Sequence, residues 1–131
     1  QLLFKGSQSG SYLTVEKKEG SSVPVLVWKI TEYDEARLDR YEGYPTFYYK
    51  DTMNVEVFSL LGDVSLGCVD ATIYIMHEER KLGMPSLHYY EVCLDGYAHF
   101  GFDPSFLENA LTDSVGKRYA SKLLKEVGLN E

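Results

Sequence analysis

One acid in this sequence sits where simple electrostatics would not put it. Thr31 has the form of an N-cap, and Glu32, Asp34 and Glu35 crowd the turn after it, where the positive end of a helix favours carboxylates. The predicted helix runs through Leu38 and Tyr41 to a stop at Gly43, with Pro45 just beyond to prevent continuation. Glu42 therefore falls in the last turn, where the negative end of the macrodipole disfavours a carboxylate by about 0.3–1 kcal/mol. It is also four residues on from Leu38 and projects from the same side as that apolar residue. A carboxyl held there, close to a core, has a raised pKa and moves toward the range useful for a general base. The competing reading turns Glu42 to solvent or pairs it with Arg40 or Lys50. Glu35 and Asp39, by contrast, fit a solvated helix face.

The elements that must position Glu42 can be read on either side of it. Leu2–Phe4 and Tyr12–Val15 read as short strands joined by a Gly/Ser turn over Lys5–Ser11. Pro24–Ile30 (PVLVWKI) is rich in β-branched and aromatic residues and reads as a buried strand. Phe47–Lys50 and Met53–Leu61 read as extended. Cys68–Met76 alternates, with Val69, Ala71, Ile73 and Ile75 on one face, and a hairpin through Gly62 and Gly67 leads into it. After a polar loop from His77 to Pro85, Ser86 caps a helix carrying Leu87, Tyr90, Leu94 and Tyr97 that ends at Gly101. Asp103-Pro104 starts a short helix, and a final amphipathic helix is predicted from about Asp113 to Val127, stopping at Gly128. No repeat or linker interrupts the order. The pattern predicts one α+β domain over residues 1–131, with a mostly antiparallel sheet or small barrel flanked by helices.

Composition narrows the function. With 131 residues, 44% hydrophobic and 14% aromatic, the chain can bury a core. Eleven Tyr against one Trp suit a polar pocket as well as strand packing. A net charge of −7 argues against nucleic acid, which needs clustered Lys and Arg. The basic group Lys117, Arg118, Lys122 and Lys125 is offset by nearby acids and reads as a solvated helix face. No apolar run is long enough to span a bilayer, so no membrane partner is expected. Cys68 and Cys93 lie far apart in apolar surroundings and are expected to be buried thiols in a reducing cytoplasm. His77, His88 and His99 do not share one predicted element and lack close ligand partners, so no metal site is expected.

The stretch Leu38-Asp39-Arg40-Tyr41-Glu42-Gly43-Tyr44-Pro45, followed by Phe47-Tyr48-Tyr49-Lys50, resembles the L-D-x-x-E-G segment and aromatic strand of gamma-glutamylcyclotransferase-like proteins. Val25–Ile30 resembles the strand before the catalytic helix, Ala71–Met76 the strand with a pocket tyrosine, and Tyr89–Tyr97 the later helix with its Tyr and Gly. The resemblance reaches to about Leu111. It implies a small mixed β-barrel flanked by helices, and conversion of a γ-glutamyl amino acid or amine to 5-oxoproline and free amine. Glu42 would be the catalytic acid/base, and Gly43, Tyr48, Tyr74 and Tyr89 would meet the small γ-glutamyl substrate. The tyrosines would donate hydrogen bonds to its carboxylate or γ-carbonyl. Neither metal nor organic cofactor is implied. The family's early Tyr-Gly-Ser-Asn-like loop has no counterpart here, since Lys5-Gly6-Ser7-Gln8 follows the strand that comes second in the family. An upstream segment is expected to be missing, which would leave this chain weakly active and prone to pair through an exposed strand edge, a homodimer being one such pairing. The alternative function is a non-catalytic module of the same fold that binds a small ligand.

Overall fold

The computed structural model describes residues 1–130, with side chains through residue 128. Among these residues there are five strands and four helices, and the chain divides into two compact units. One comprises Gln1–Pro24 with Glu78–Glu131, the other Val25–His77.

In the first unit, β1 (Leu2–Ser7) lies between β2 (Gly10–Val15) and the two-residue β5 (Lys81–Leu82), antiparallel to both. Leu2 through Gly6 are all buried, as expected of a central strand covered on both faces. The predicted turn at Lys5–Ser11 is shorter than expected. The strands continue to Ser7 and from Gly10, leaving only Gln8 and Ser9 to turn the chain. Gly6 permits this, because a side chain there would meet the Gly10 carbonyl oxygen at 2.0 Å. Lys5, buried with its strand, is paired with Glu16 and donates to the Glu78 carbonyl at 2.8 Å.

Three helices complete this unit: α2 (Leu87–Phe100), α3 (Ser105–Val115) and α4 (Lys117–Asn130). Leu2 and Phe4 share a buried cluster with Tyr90, Leu107, Leu111 and Leu123. Ser86 caps α2 by accepting from the Tyr89 amide, and Gly101 ends it in the left-handed region. The last two helices form as predicted in number, but their boundary falls later: α3 takes in Asp113–Val115, Gly116, at φ 85°, ends it, and α4 runs on through Gly128. Gly128 lies inside a helix whose packed face outweighs the modest cost of one glycine, about 1 kcal/mol.

The second unit holds α1 (Glu32–Tyr41) and a long antiparallel hairpin of β3 (Tyr48–Phe58) and β4 (Ser65–Met76). Two predicted extended pieces merge into the single strand β3. The expected strand at Pro24–Ile30 does not form. The segment has no ladder, and Val25 and Trp28 are 50% and 70% exposed. β-branched residues favour a strand only where a neighbouring strand supplies hydrogen bonds and a packing surface. Likewise the strands make two separate antiparallel sheets rather than the expected barrel, and no closed barrel exists among the described residues. Cys68, expected to be buried, is exposed on β4, while Cys93 is half-buried on α2, and neither forms a disulfide.

Candidate active site

The end of α1 is built as the sequence predicts. Thr31 and Asp34 form a capping box at its start, each side chain accepting from the other's amide at 3.1 Å. At the far end Glu42 is the C-cap, its amide donating to the Leu38 carbonyl at 2.8 Å. The Gly43 amide donates to Arg40 and the Tyr44 amide to Asp39, at 3.3 and 2.8 Å, which is a Schellman ending. Gly43 adopts φ +67°, where a side chain would be strained and would press on Phe47 Cβ at 3.2 Å. Its amide is therefore committed to the helix end. What Gly43 leaves beside Glu42 is bare backbone. The loop that follows is fastened by His77, whose Nε2 lies 2.7 Å from the Pro45 carbonyl and whose ring lies against Tyr49.

The Glu42 side chain is half-buried, and it makes no ion pair or side-chain hydrogen bond among the described residues. Burial alone pushes its pKa above the ordinary carboxylate value. Neither partner considered for it is used. Lys50 instead reaches Asp39, at 3.1 Å, and Glu35, at 3.5 Å. A half-buried carboxylate without a cation beside it can accept a proton more readily than an ordinary surface acid.

Strand pairing decides which tyrosines share a face. Tyr48 lies opposite Met76, and Lys50 opposite Tyr74, so alternation puts all four on one side of the hairpin. Tyr48 and Met76 are buried there. The Tyr74 hydroxyl donates to Asp39 Oδ1 at 2.5 Å, which ties that face to α1. The Tyr74 phenol is held well above its ordinary pKa by burial first, then by Asp39, with smaller contributions from the charges of Glu35 and Glu42. Its bond to Asp39 is also the main cause of a lowered Asp39 pKa, with Lys50 adding to it.

Asp39 is thus not the solvated acid expected. Both it and Tyr74 belong to one hydrogen-bonded cluster, which the sequence reading missed. Glu35 and Asp39 are four apart on one helix face, and two like charges there repel unless a cation lies between them. That spacing called for Lys50.

Tyr89 belongs to the other unit. Its hydroxyl accepts from the Leu13 amide at 3.0 Å, and its ring packs edge-on against Phe4 and Tyr12. The structure therefore gathers Glu42, Gly43, Tyr48 and Tyr74 in one unit and gives Tyr89 a fastening role on β2 in the other. His88 and His99 lie on α2, and no group of three His, Cys, Asp or Glu is placed to hold a metal among the described residues. No helix among them is long and apolar enough to cross a membrane.

The described residues form an α+β chain with Glu42 at the end of α1, before the aromatic strand β3. Residues 2–91 match the family model described as gamma-glutamyl cyclotransferase, AIG2-like, and the chain belongs to that family. The match runs from β1 into the first turns of α2, short of the Leu111 to which the resemblance reached, and leaves out α3 and α4. No curated protein and no solved structure matches the chain significantly.

Proposed function

We propose that this protein converts a γ-glutamyl amine or γ-glutamyl amino acid to 5-oxoproline and the free amine, with Glu42 as general base and then general acid. The observation that carries the proposal is the half-buried Glu42 carboxyl, raised in pKa and without a cation partner, at the C-cap of α1 in a chain of this family. The substrate's α-ammonium gives a proton to Glu42, and the freed amine attacks its own γ-carbonyl to close a five-membered lactam. Glu42 gives that proton to the departing nitrogen, then takes the second proton that the attacking nitrogen sheds on becoming the lactam N–H. It passes this one to the freed amine, which leaves as an ammonium, so the carboxylate is regenerated. Both reacting groups are on one molecule, and holding the ring-closing conformer supplies much of the acceleration. The reaction needs neither metal nor organic cofactor.

Gly43 serves this reading by leaving room beside the base, and Tyr48 by lining the hairpin face it shares with Tyr74. Tyr89 is carried over from the family resemblance alone. A reducing cytoplasm is the proposed setting for the two thiols. The test is a panel of γ-glutamyl amino acids and γ-glutamyl amines incubated with the full chain, read as 5-oxoproline formed. Production from at least one class is expected. Binding of these compounds without any 5-oxoproline would refute the reaction and favour a ligand-binding module.

A further inference from the structure

The cluster around Tyr74 fixes a proton. A phenol has one hydrogen to donate, and once that is committed its oxygen can only accept. Tyr74 gives its hydrogen to Asp39 at 2.5 Å. Asp39 accepts it most strongly while ionised, and Lys50 Nζ, 3.1 Å from Oδ1 and 3.2 Å from Oδ2, favours that state. Lys50 is itself held by Glu35 at 3.5 Å and lies over the Tyr44 ring at 4.5 Å, so the cation has a defined place. Two carboxylates against one ammonium leave the cluster net negative. Such a site attracts a cation and repels a carboxylate.

We propose that the Tyr74 oxygen accepts a hydrogen bond from the α-ammonium of the γ-glutamyl substrate, and that Asp39 is the positioning residue that turns the phenol to do so. The inference rests on the reaction proposed above and names which end of the substrate meets this tyrosine. It reverses the role expected from the sequence, in which Tyr74 donates to the carboxylate or the γ-carbonyl. It also suits the chemistry. An ammonium has three hydrogens, so one can be held by Tyr74 while another is given to Glu42, the C-cap about one turn beyond the Asp39 that Tyr74 meets.

The experiment compares two compounds that differ only in the α-amine, using the full chain. The first is a γ-glutamyl amide, followed as 5-oxoproline formed. The second is the matching glutaramate, which lacks the amine, cannot cyclise and acts as a competitive inhibitor. For Tyr74→Phe, KM for the first is expected to rise about 10- to 100-fold, the range of one hydrogen bond to a charged group, with a much smaller change in kcat. The inhibition constant of the glutaramate should move by less than about 2-fold, since nothing it carries meets Tyr74.

Asp39→Asn should raise KM in the same direction, because the amide nitrogen can donate to the phenol and turn its hydrogen toward the ammonium. In the Tyr74→Phe background it should add little. Equal loss of affinity for both compounds would overturn the assignment, as would an Asp39→Asn effect undiminished by Tyr74→Phe. Either result with a wild-type chain that forms 5-oxoproline leaves the reaction standing. A wild-type chain that forms none from any γ-glutamyl compound overturns the reaction and this inference together. Thermal melts separate these effects from misfolding, and Asp39→Asn carries the comparison alone if Tyr74→Phe does not fold.

Discussion

Replacing Glu42 with Gln separates its chemistry from its cost to the fold. The substitution keeps the shape of the C-cap and removes a negative charge from the end of α1 that disfavours it. The carboxyl has no ion pair to lose, and burial has already raised its pKa. A raised folded-state pKa means that the folded protein binds this proton more tightly than the unfolded chain does. Glu42 therefore favours folding below its ordinary value of 4.5, and that contribution is lost as pH rises through the folded-state pKa. At neutral pH the ionised side chain opposes folding, and Gln does not.

The helix-end term alone is about 0.3–1 kcal/mol, which for a domain of this size is a rise of roughly 1–4 °C in Tm. Melts of Glu42→Gln and the parent should thus diverge at pH 7 and converge near pH 4. Turnover should move the other way, falling by about 10²–10⁴-fold, or roughly 2.7–5.4 kcal/mol of transition-state stabilisation, while substrate binding is largely kept. Initial rates of 5-oxoproline formation and a binding titration on the same preparation read both quantities. Turnover within a few-fold of the parent would remove Glu42 from the chemistry. A variant that is inactive because it no longer folds would show Glu42 to be structural.

Two further outcomes test the packing of the unit built on β1. Tyr90 is fully buried, and its hydroxyl has no hydrogen-bond partner among the described residues, so Tyr90→Phe should leave Tm unchanged or raise it. A loss above about 1 kcal/mol in denaturant unfolding would reveal a partner for that hydroxyl. Ser114 accepts from the Phe4 amide at 2.8 Å, which joins α3 to the strand, and Ser114→Ala should cost about 1–3 kcal/mol by leaving a buried amide unpaired. An unchanged denaturation midpoint would show that water replaces the serine.

What was legible in the sequence is what the chain settles locally. The N-cap at Thr31, the helix stop at Gly43 and the cap at Ser86 each depend on residues within a few positions of one another, and each forms as read. Glu42 was legible for the same reason, because its conflict with the helix end is visible without knowing what surrounds it. The failures have the opposite character. PVLVWKI has every local mark of a strand and forms none, since a strand is decided by the partner beside it and the described residues supply no ladder. The barrel fails for the same cause. Gly116 divides the last two helices through its own backbone conformation, φ 85°, which periodicity across the break concealed.

The Asp39 cluster lies between these cases. Its geometry depends on Tyr74 and Lys50 facing each other across a hairpin, and that register is not local. Yet Glu35 and Asp39 repel on one turn of α1, and Lys50 is the cation that relieves them. The acid that breaks a rule without relief, Glu42, is the one suited to move a proton. Asp39, whose conflict is relieved, is suited to hold a neighbour still. Two carboxylates three residues apart on one helix thus receive opposite environments: burial raises the first, and a phenol and an ammonium lower the second. Such a division makes one group the readier proton acceptor while the other keeps its charge, the division that the proposed cyclisation of an α-ammonium substrate would use.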